Sequence, residues 1–255
     1  MPTLAVIGGT GIYEMAGISL IEKRLIATRY GEVKVSIYAT GGEEFAFLPR
    51  HGEGHTCPPH KVNYRANIMA LKGLGVERII AVCSVGSLKR EIMPGDLVLV
   101  DQFLDFTKSR PSTFFDDEAI HVDTTEPYCA EMRAVMGEVP TRGFRLHKKG
   151  TYVCVEGPRF ETAAEIKMYA ALGGDVVGMT GVPECVLARE VGMCYACVAV
   201  VTNYAAGISD KPLSHEEVIA EMKRMGASLQ AYVVDCLMRV PPKVGCSCKK
   251  PAKPS

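Results

Sequence analysis

The chain has 255 residues, and 29 Lys+Arg balance 29 Asp+Glu to a formal net charge of zero. That balance gives no long-range pull toward a phosphate backbone or an anionic lipid surface, which argues against sequence-independent nucleic-acid binding and against electrostatic membrane attachment. A hydrophobic content of 47% with 25 Gly and 15 Pro is globular rather than disordered.

The length suits one large α/β domain or two small ones. No run of about 18 apolar residues is present to span a membrane. Met1 to Gly8 shows neither a basic leader nor an apolar signal core, so a cytoplasmic location is expected.

In chain order, Leu4–Ile7 reads as a strand ending in Gly8-Gly9-Thr10-Gly11, and Val33–Ala39 and Glu44–Leu48 read as two more. Tyr64–Leu74 has helical spacing, with Gly75 placed to stop it. Arg78–Val82 is a buried strand, and Leu97–Val100 another after the Pro94-Gly95-Asp96 turn. Asp105–Tyr128 has little periodicity and reads as a long loop, which in a compact domain usually has a function or packs on a partner. Thr151–Val155 is a strand followed by a helix over Ala163–Leu172. Asp175–Gly178 leads into a helix from Glu184 to Val191, Tyr195–Thr202 is an apolar strand, and Ser214–Leu237 is a long last helix. This alternation predicts an α/β fold: one domain over residues 1–240, with a mixed central β-sheet flanked by helices. Residues 241–255 are rich in Pro, Lys and Cys and read as a mobile tail.

Small hydroxyls and glycines recur where strands end. Gly8-Gly9-Thr10-Gly11, Ser84-Val85-Gly86-Ser87 and Met179-Thr180-Gly181 each put backbone N–H groups and a hydroxyl at a strand terminus. The first is neither a dinucleotide fingerprint nor a Walker loop, and by itself is as readily a plain tight turn. Arg50-His51-Gly52 adds a planar cationic fork and an imidazole beside His55 and His60. Together the four motifs describe an anion pocket at one sheet edge, where α/β sites form. Glu161 also reads as a helix N-terminal carboxylate, and Asn203 as an ordinary turn residue. Most of the ten cysteines sit in apolar stretches and read as small buried hydrophobes. Cys246-Ser247-Cys248 in the tail is the exception: an ordinary tail, a strained reducible disulfide and pairing with other chains all remain open.

Several stretches carry a family resemblance: IGGTGIY (7–13), RHGEGH (50–55), KVNYRANIMALKGLGVERII (61–80), SVGSLKREIMPGDLVLVDQFLDFT (84–107), HVDTTEPYC (121–129), EGPRFET (156–162), DVVGMTGVPECVLAREVGMCYA (175–196) and TNYAAG (202–207). The chain resembles the trimeric purine nucleoside phosphorylases and methylthioadenosine phosphorylases up to about Val240. The resemblance implies phosphorolysis of a purine nucleoside, with inorganic phosphate as co-substrate and no other cofactor or metal. It implies a homotrimer, or a pair of trimers. It places Thr10, Arg50, His51, Cys83, Ser84 and Thr180 around phosphate, and Met179 under the sugar. His121 is placed at the subunit border, reaching into a neighbour's site. Glu161, Thr162, Asn203, Tyr204 and Ala205 fall on the base, with His215 near the 5′ end of the sugar. The catalytic candidates are Asn203, Glu161 and His51.

Two of these positions separate the branches. The methylthioadenosine enzymes typically carry Asp where this chain has Asn203 and again where it has Ala205, and a small hydroxyl residue where it has Glu161. An ionised carboxylate only accepts hydrogen bonds. Hypoxanthine and guanine present N1–H to it, whereas adenine presents a bare lone pair. Glu161 with Asn203 therefore predicts 6-oxopurine nucleosides as substrates. Methylthioinosine or methylthioadenosine phosphorolysis is the alternative within the same chemistry. A Cys/His redox or metal-binding module is the alternative of another class.

Overall fold

The computed structural model describes residues 1–255 except Tyr13, Ala16, His55, Lys211, Pro212, 242–244, Ser247 and 249–255. The strands are β1 (Leu4–Gly8), β2 (Ser19–Thr28), β3 (Gly31–Thr40), β4 (Glu43–Pro49), β5 (Arg78–Ser87), β6 (Leu97–Leu99), β7 (Gln102–Phe106), β8 (Leu146–His147), β9 (Thr151–Val155), β10 (Val176–Gly178) and β11 (Cys194–Tyr204). The helices are α1 (Tyr64–Gly73), α2 (Ala130–Met136), α3 (Ala163–Ala171), α4 (Gly181–Glu190) and α5 (His215–Arg239).

All strands join one mixed sheet with β5 at its centre. The path runs β2-β3-β4-β1-β5-β10-β9-β7, and β11 pairs with both β5 and β6. β1 and β11 lie parallel to β5, while β10 meets its last residues antiparallel at Gly86 and Ser87. The pleat sends alternate residues of β5 into two cores. Ile79, Ala81, Cys83 and Val85 pack under α1 and α4, and Ile80 and Val82 pack under α2 and α5. A third cluster seats α3, through Ile166 and Tyr169, on Val153 and Val177.

Local chemistry sets the helix limits. Asn63 Oδ1 accepts from the Ala66 N–H at the start of α1. Its end is a Schellman motif: Val76 N–H reaches the Leu71 carbonyl, Gly75 N–H reaches Lys72, and Gly75 takes φ +85°. Thr162 and Glu165 form a reciprocal capping box on α3.

Four elements depart from the sequence reading, the two-residue β8 among them. β2 is a ten-residue strand in an antiparallel hairpin with β3. β7 occupies the start of the expected loop, which from residue 107 to 128 holds no helix or strand. Buried Arg110 ties that segment down by donating to the carbonyls of Val182, at 2.8 Å, and Glu156, at 2.7 Å. α2 follows it. Within the tail expected to be mobile, Cys246 and Cys248 lie against the core beside Cys129 and Cys194. Among the described residues no helix is long and apolar enough to cross a membrane.

Candidate functional site

A cavity of about 350 Å³ opens at the carboxyl ends of β1, β4, β5, β10 and β11. Its lining includes Thr10, Arg50, His51, Ser84, Met179, Thr180, Glu161, Asn203, Ala205 and His215. Motifs that are far apart in sequence converge there because parallel strands end on one edge of the sheet.

One end gathers the residues expected to hold an anion: Thr10, Arg50, Ser84 and Thr180. Gly9 leaves room for this, since a Cβ there would stand 2.7 Å from the Val82 carbonyl and 3.0 Å from Arg50 Nη1. Arg50, with its side chain fully buried, does not present its side-on fork to the cavity. Nε and Nη2 donate at 2.7 Å to the two carboxylate oxygens of Glu184, and Nη1 donates to the Val82 carbonyl at 2.8 Å. This leaves one N–H on each terminal nitrogen. Burial works against the guanidinium charge, but the neighbouring Cys83 and Glu184 and the paired bonds more than restore it, so its pKa is raised. Ser84 Oγ is buried without a hydrogen-bond partner, an unmet polar atom in the cavity wall. Thr180 donates through its hydroxyl to Cys83 Sγ at 3.5 Å, and its N–H meets Tyr152 Oη at 3.2 Å.

His51 is held through one ring nitrogen. Its Nδ1 lies 2.8 Å from the Cys57 carbonyl, which can only accept, so the neutral ring carries its proton there and Nε2 is an acceptor. Cys83 sits behind the wall rather than in it. A bond from Cys197 lowers its thiol to about 7 against the cost of burial, and the Arg50 charge contributes in the same direction.

The other end carries Glu161 and Asn203. β11 bulges at Thr202, shifting register between Val201 and Asn203 and turning Asn203 into the cavity. Asn203 Nδ2 donates to the Tyr204 carbonyl at 3.0 Å, and the Thr202 hydroxyl stands 2.8 Å from Oδ1. A carbonyl cannot donate, so this pair fixes which way the amide faces and leaves one N–H on Nδ2 for a ligand. Gly86 lies opposite, and a Cβ there would come within 3.1 Å of Nδ2. Glu161 sits one residue before the cap of α3. Burial pushes its carboxyl above the usual range, and its own backbone N–H offsets part of that. Met179 packs over Gly157, whose missing side chain admits it: a Cβ would lie 2.5 Å from the sulfur.

Four expected site residues stand outside the lining. Besides Cys83, Thr162 is the α3 cap, Tyr204 sends its hydroxyl to the Arg90 carbonyl at 3.1 Å, and His121 is exposed on the 107–128 segment. His55 lies outside the described residues. Sequence reasoning missed Glu184, the fully buried partner of Arg50, and Tyr195, whose hydroxyl donates to Glu184 at 2.7 Å. An acid at the start of a mostly apolar helix, with Glu190 a second acid at its end, was a weak signal for Glu184. Among the described residues no three His, Asp or Glu ligand atoms converge at the cavity.

The model of the phosphorylase superfamily matches residues 3–238. The chain belongs to that superfamily. It is 52% identical to the 6-oxopurine nucleoside phosphorylase of Pyrococcus furiosus, over 99% of this chain and 98% of the relative. A probable S-methyl-5′-thioinosine phosphorylase of Methanothermobacter thermautotrophicus is 50% identical, over 96% of this chain and 87% of the relative. Among solved structures, a methylthioadenosine phosphorylase from Schistosoma mansoni in complex with adenine superposes with a TM-score of 0.87 at 30% identity, covering 93% of this chain and 91% of that one. The expected α/β fold is thus borne out at the level of the whole chain.

Proposed function

We propose that this protein cleaves 6-oxopurine nucleosides, inosine and guanosine and their deoxy forms, with inorganic phosphate, releasing the base and the sugar 1-phosphate. The observation that carries the reading is the co-location of the Glu161 carboxylate, the Asn203 amide and the anion end in one cavity. In this reaction the C1′–N9 bond breaks with its electrons flowing into the purine, an oxygen of monohydrogen phosphate bonds to C1′, and the proton that phosphate carried ends on the departing base. The intermediate sugar carries positive charge, so the bound phosphate acts as nucleophile and as counter-charge. The two outer N–H groups of Arg50, the Ser84 hydroxyl and the loop at Thr10 hold it, and the Thr180 hydroxyl joins them by turning from Cys83 Sγ. In its neutral form His51 accepts at Nε2, which suits the hydrogen that monohydrogen phosphate brings with it.

At the base, the remaining N–H of Asn203 bonds purine N7 as negative charge builds there. Glu161 accepts from N1–H. Facing adenine, the same carboxylate would stand unpaired, and sites of this kind reject the wrong partner by up to ~10⁴–10⁵. At the 5′ end, His215 bonds the sugar hydroxyl. Val218, one turn along α5 and also in the lining, offers an apolar contact, and that favours methylthioinosine as the second reading.

Exposed Phe160, Met168 and Leu172, on the loop and helix that follow the cavity, support a homo-oligomer through this face, with the partner's His121 completing the site in a trimer. Ten free cysteines suit a reducing compartment, and we infer a cytoplasmic enzyme. Steady-state rates for inosine, guanosine, adenosine, methylthioinosine and methylthioadenosine at saturating phosphate test the reading. It expects the three 6-oxopurines to lead, and fastest cleavage of methylthioadenosine would overturn it.

A further inference from the structure

The end of the sheet opposite the cavity holds a second cluster of reactive groups. Cys129 caps α2, Cys194 opens β11, and Cys246 and Cys248 reach them from beyond α5. Their four sulfur atoms lie within 4.8 Å of one another. Cys246 Sγ is 3.7 Å from Cys129 Sγ and 3.5 Å from Cys194 Sγ. Four thiolates on a tetrahedral zinc ion, at ~2.3 Å each, have edges of about 3.8 Å, so these separations are those of ligands around one centre. Two disulfides would instead split the set into pairs at ~2.05 Å, and all ten cysteines are free.

The surroundings carry the matching charge. Arg78 is fully buried, and its three guanidinium nitrogens have no hydrogen-bond partner. Its ion pair is with Glu131 Oε1 at 3.2 Å, a carboxylate still about one third exposed. Arg78 and Cys194 are register partners on β5 and β11, so both side chains leave the same face of the sheet. A divalent cation with four thiolates carries two net negative charges, and a buried cation with unspent N–H donors is the outer partner such a centre needs.

We propose that Cys129, Cys194, Cys246 and Cys248 form a structural tetrathiolate site for a thiophilic divalent cation of the zinc class, fastening the segment after α5 to the start of β11. The site departs from the expectation that the chain holds no metal. It is remote from the reaction: β11 separates Cys194 from Asn203 by roughly 30 Å at about 3.3 Å per residue. It supplies no chemistry to phosphorolysis and stands whether or not the substrate reading is right.

The test uses the full chain, purified under reducing conditions with its affinity tag removed. Metal analysis is expected to find about one zinc per chain, as a closed four-ligand site requires. Cobalt(II) added after zinc removal should give the visible bands of a tetrahedral tetrathiolate. Cys246→Ser and Cys248→Ser, altered beyond the last helix, should lose the metal and shorten the half-life at elevated temperature without changing kcat on inosine. Cys57→Ser should keep it. Wild-type protein with no bound metal would overturn the proposal, whether thiol counting of the unfolded chain finds four missing thiols, as two disulfides require, or finds all ten. Zinc retained by both tail variants would overturn it as well.

Discussion

Replacing Glu184 by Gln keeps the size of the side chain and removes the charge that Arg50 faces. In the native site two bonds of 2.7 Å join them, and the Tyr195 hydroxyl adds a third to the carboxylate at 2.7 Å. The amide can accept from one guanidinium nitrogen, but its NH₂ then confronts the other, donor to donor. Both side chains are fully buried, so water cannot relieve the mismatch. Breaking a buried pair by removing one partner costs about 3–5 kcal/mol. For a domain of this size each ~1 kcal/mol moves Tm by about 2–4 °C, so a fall of roughly 6–20 °C is expected. If the outer N–H groups of Arg50 hold phosphate as proposed, its release should raise the phosphate KM by ~10-fold or more while the inosine KM stays near wild type. Differential scanning calorimetry and initial rates with phosphate varied at saturating inosine measure the two effects. A lowered Tm with an unchanged phosphate KM would refute the positioning argument and leave Glu184 a purely structural residue.

Two further outcomes follow from the geometry. The Cys83 thiol, lowered to about 7, should ionise within the working range. The thiolate is the form present above that value, and it repels phosphate, so the phosphate KM should climb from about pH 7 upward. Cys83→Ala should flatten the climb relative to wild type, a comparison in which phosphate's own titration cancels; parallel profiles would remove Cys83 from the anion site. His215→Val should reduce kcat/KM for inosine by ~10-fold, about one hydrogen bond to a neutral group, while sparing methylthioinosine. Equal losses on both would separate His215 from the sugar.

The sequence was most legible where burial and period agree. β9 begins and ends as expected at Thr151 and Val155, and α3 and α5 lie within two residues of their predicted limits. Gly75 stops α1 because only a residue tolerant of positive φ completes that motif. β2 was hidden for the converse reason. Most of its side chains are exposed, so Ser19–Thr28 shows no alternation of apolar and polar residues, and its pairing with β3 comes from the hairpin. The anion loops were visible because each follows an apolar strand. Their meeting was an inference from sheet topology, and it holds in the cavity lining for Thr10, Arg50, Ser84 and Thr180. What direct contact decides could not be read. Arg50 looked like a phosphate fork until Glu184, 134 positions away in the chain, was seen to occupy that edge. Likewise nothing in Cys246-Ser247-Cys248 names Cys129 and Cys194 as its neighbours.

The account rests on Glu161 reading the N1–H of a 6-oxopurine. Burial raises its carboxyl above the ordinary value, so the charged acceptor is lost as pH falls through that raised value, and the acid limb for inosine should lie above the usual carboxylate range. The most direct measurement is the ratio of kcat/KM for inosine to that for adenosine in wild type and in Glu161→Gln. A glutamine side chain can accept from N1–H or donate to a bare N1, so the ratio should collapse by ~10² or more, with the acid limb of inosine turnover shifting alongside. An unchanged ratio in a folded variant would contradict the claim that this carboxylate selects the base.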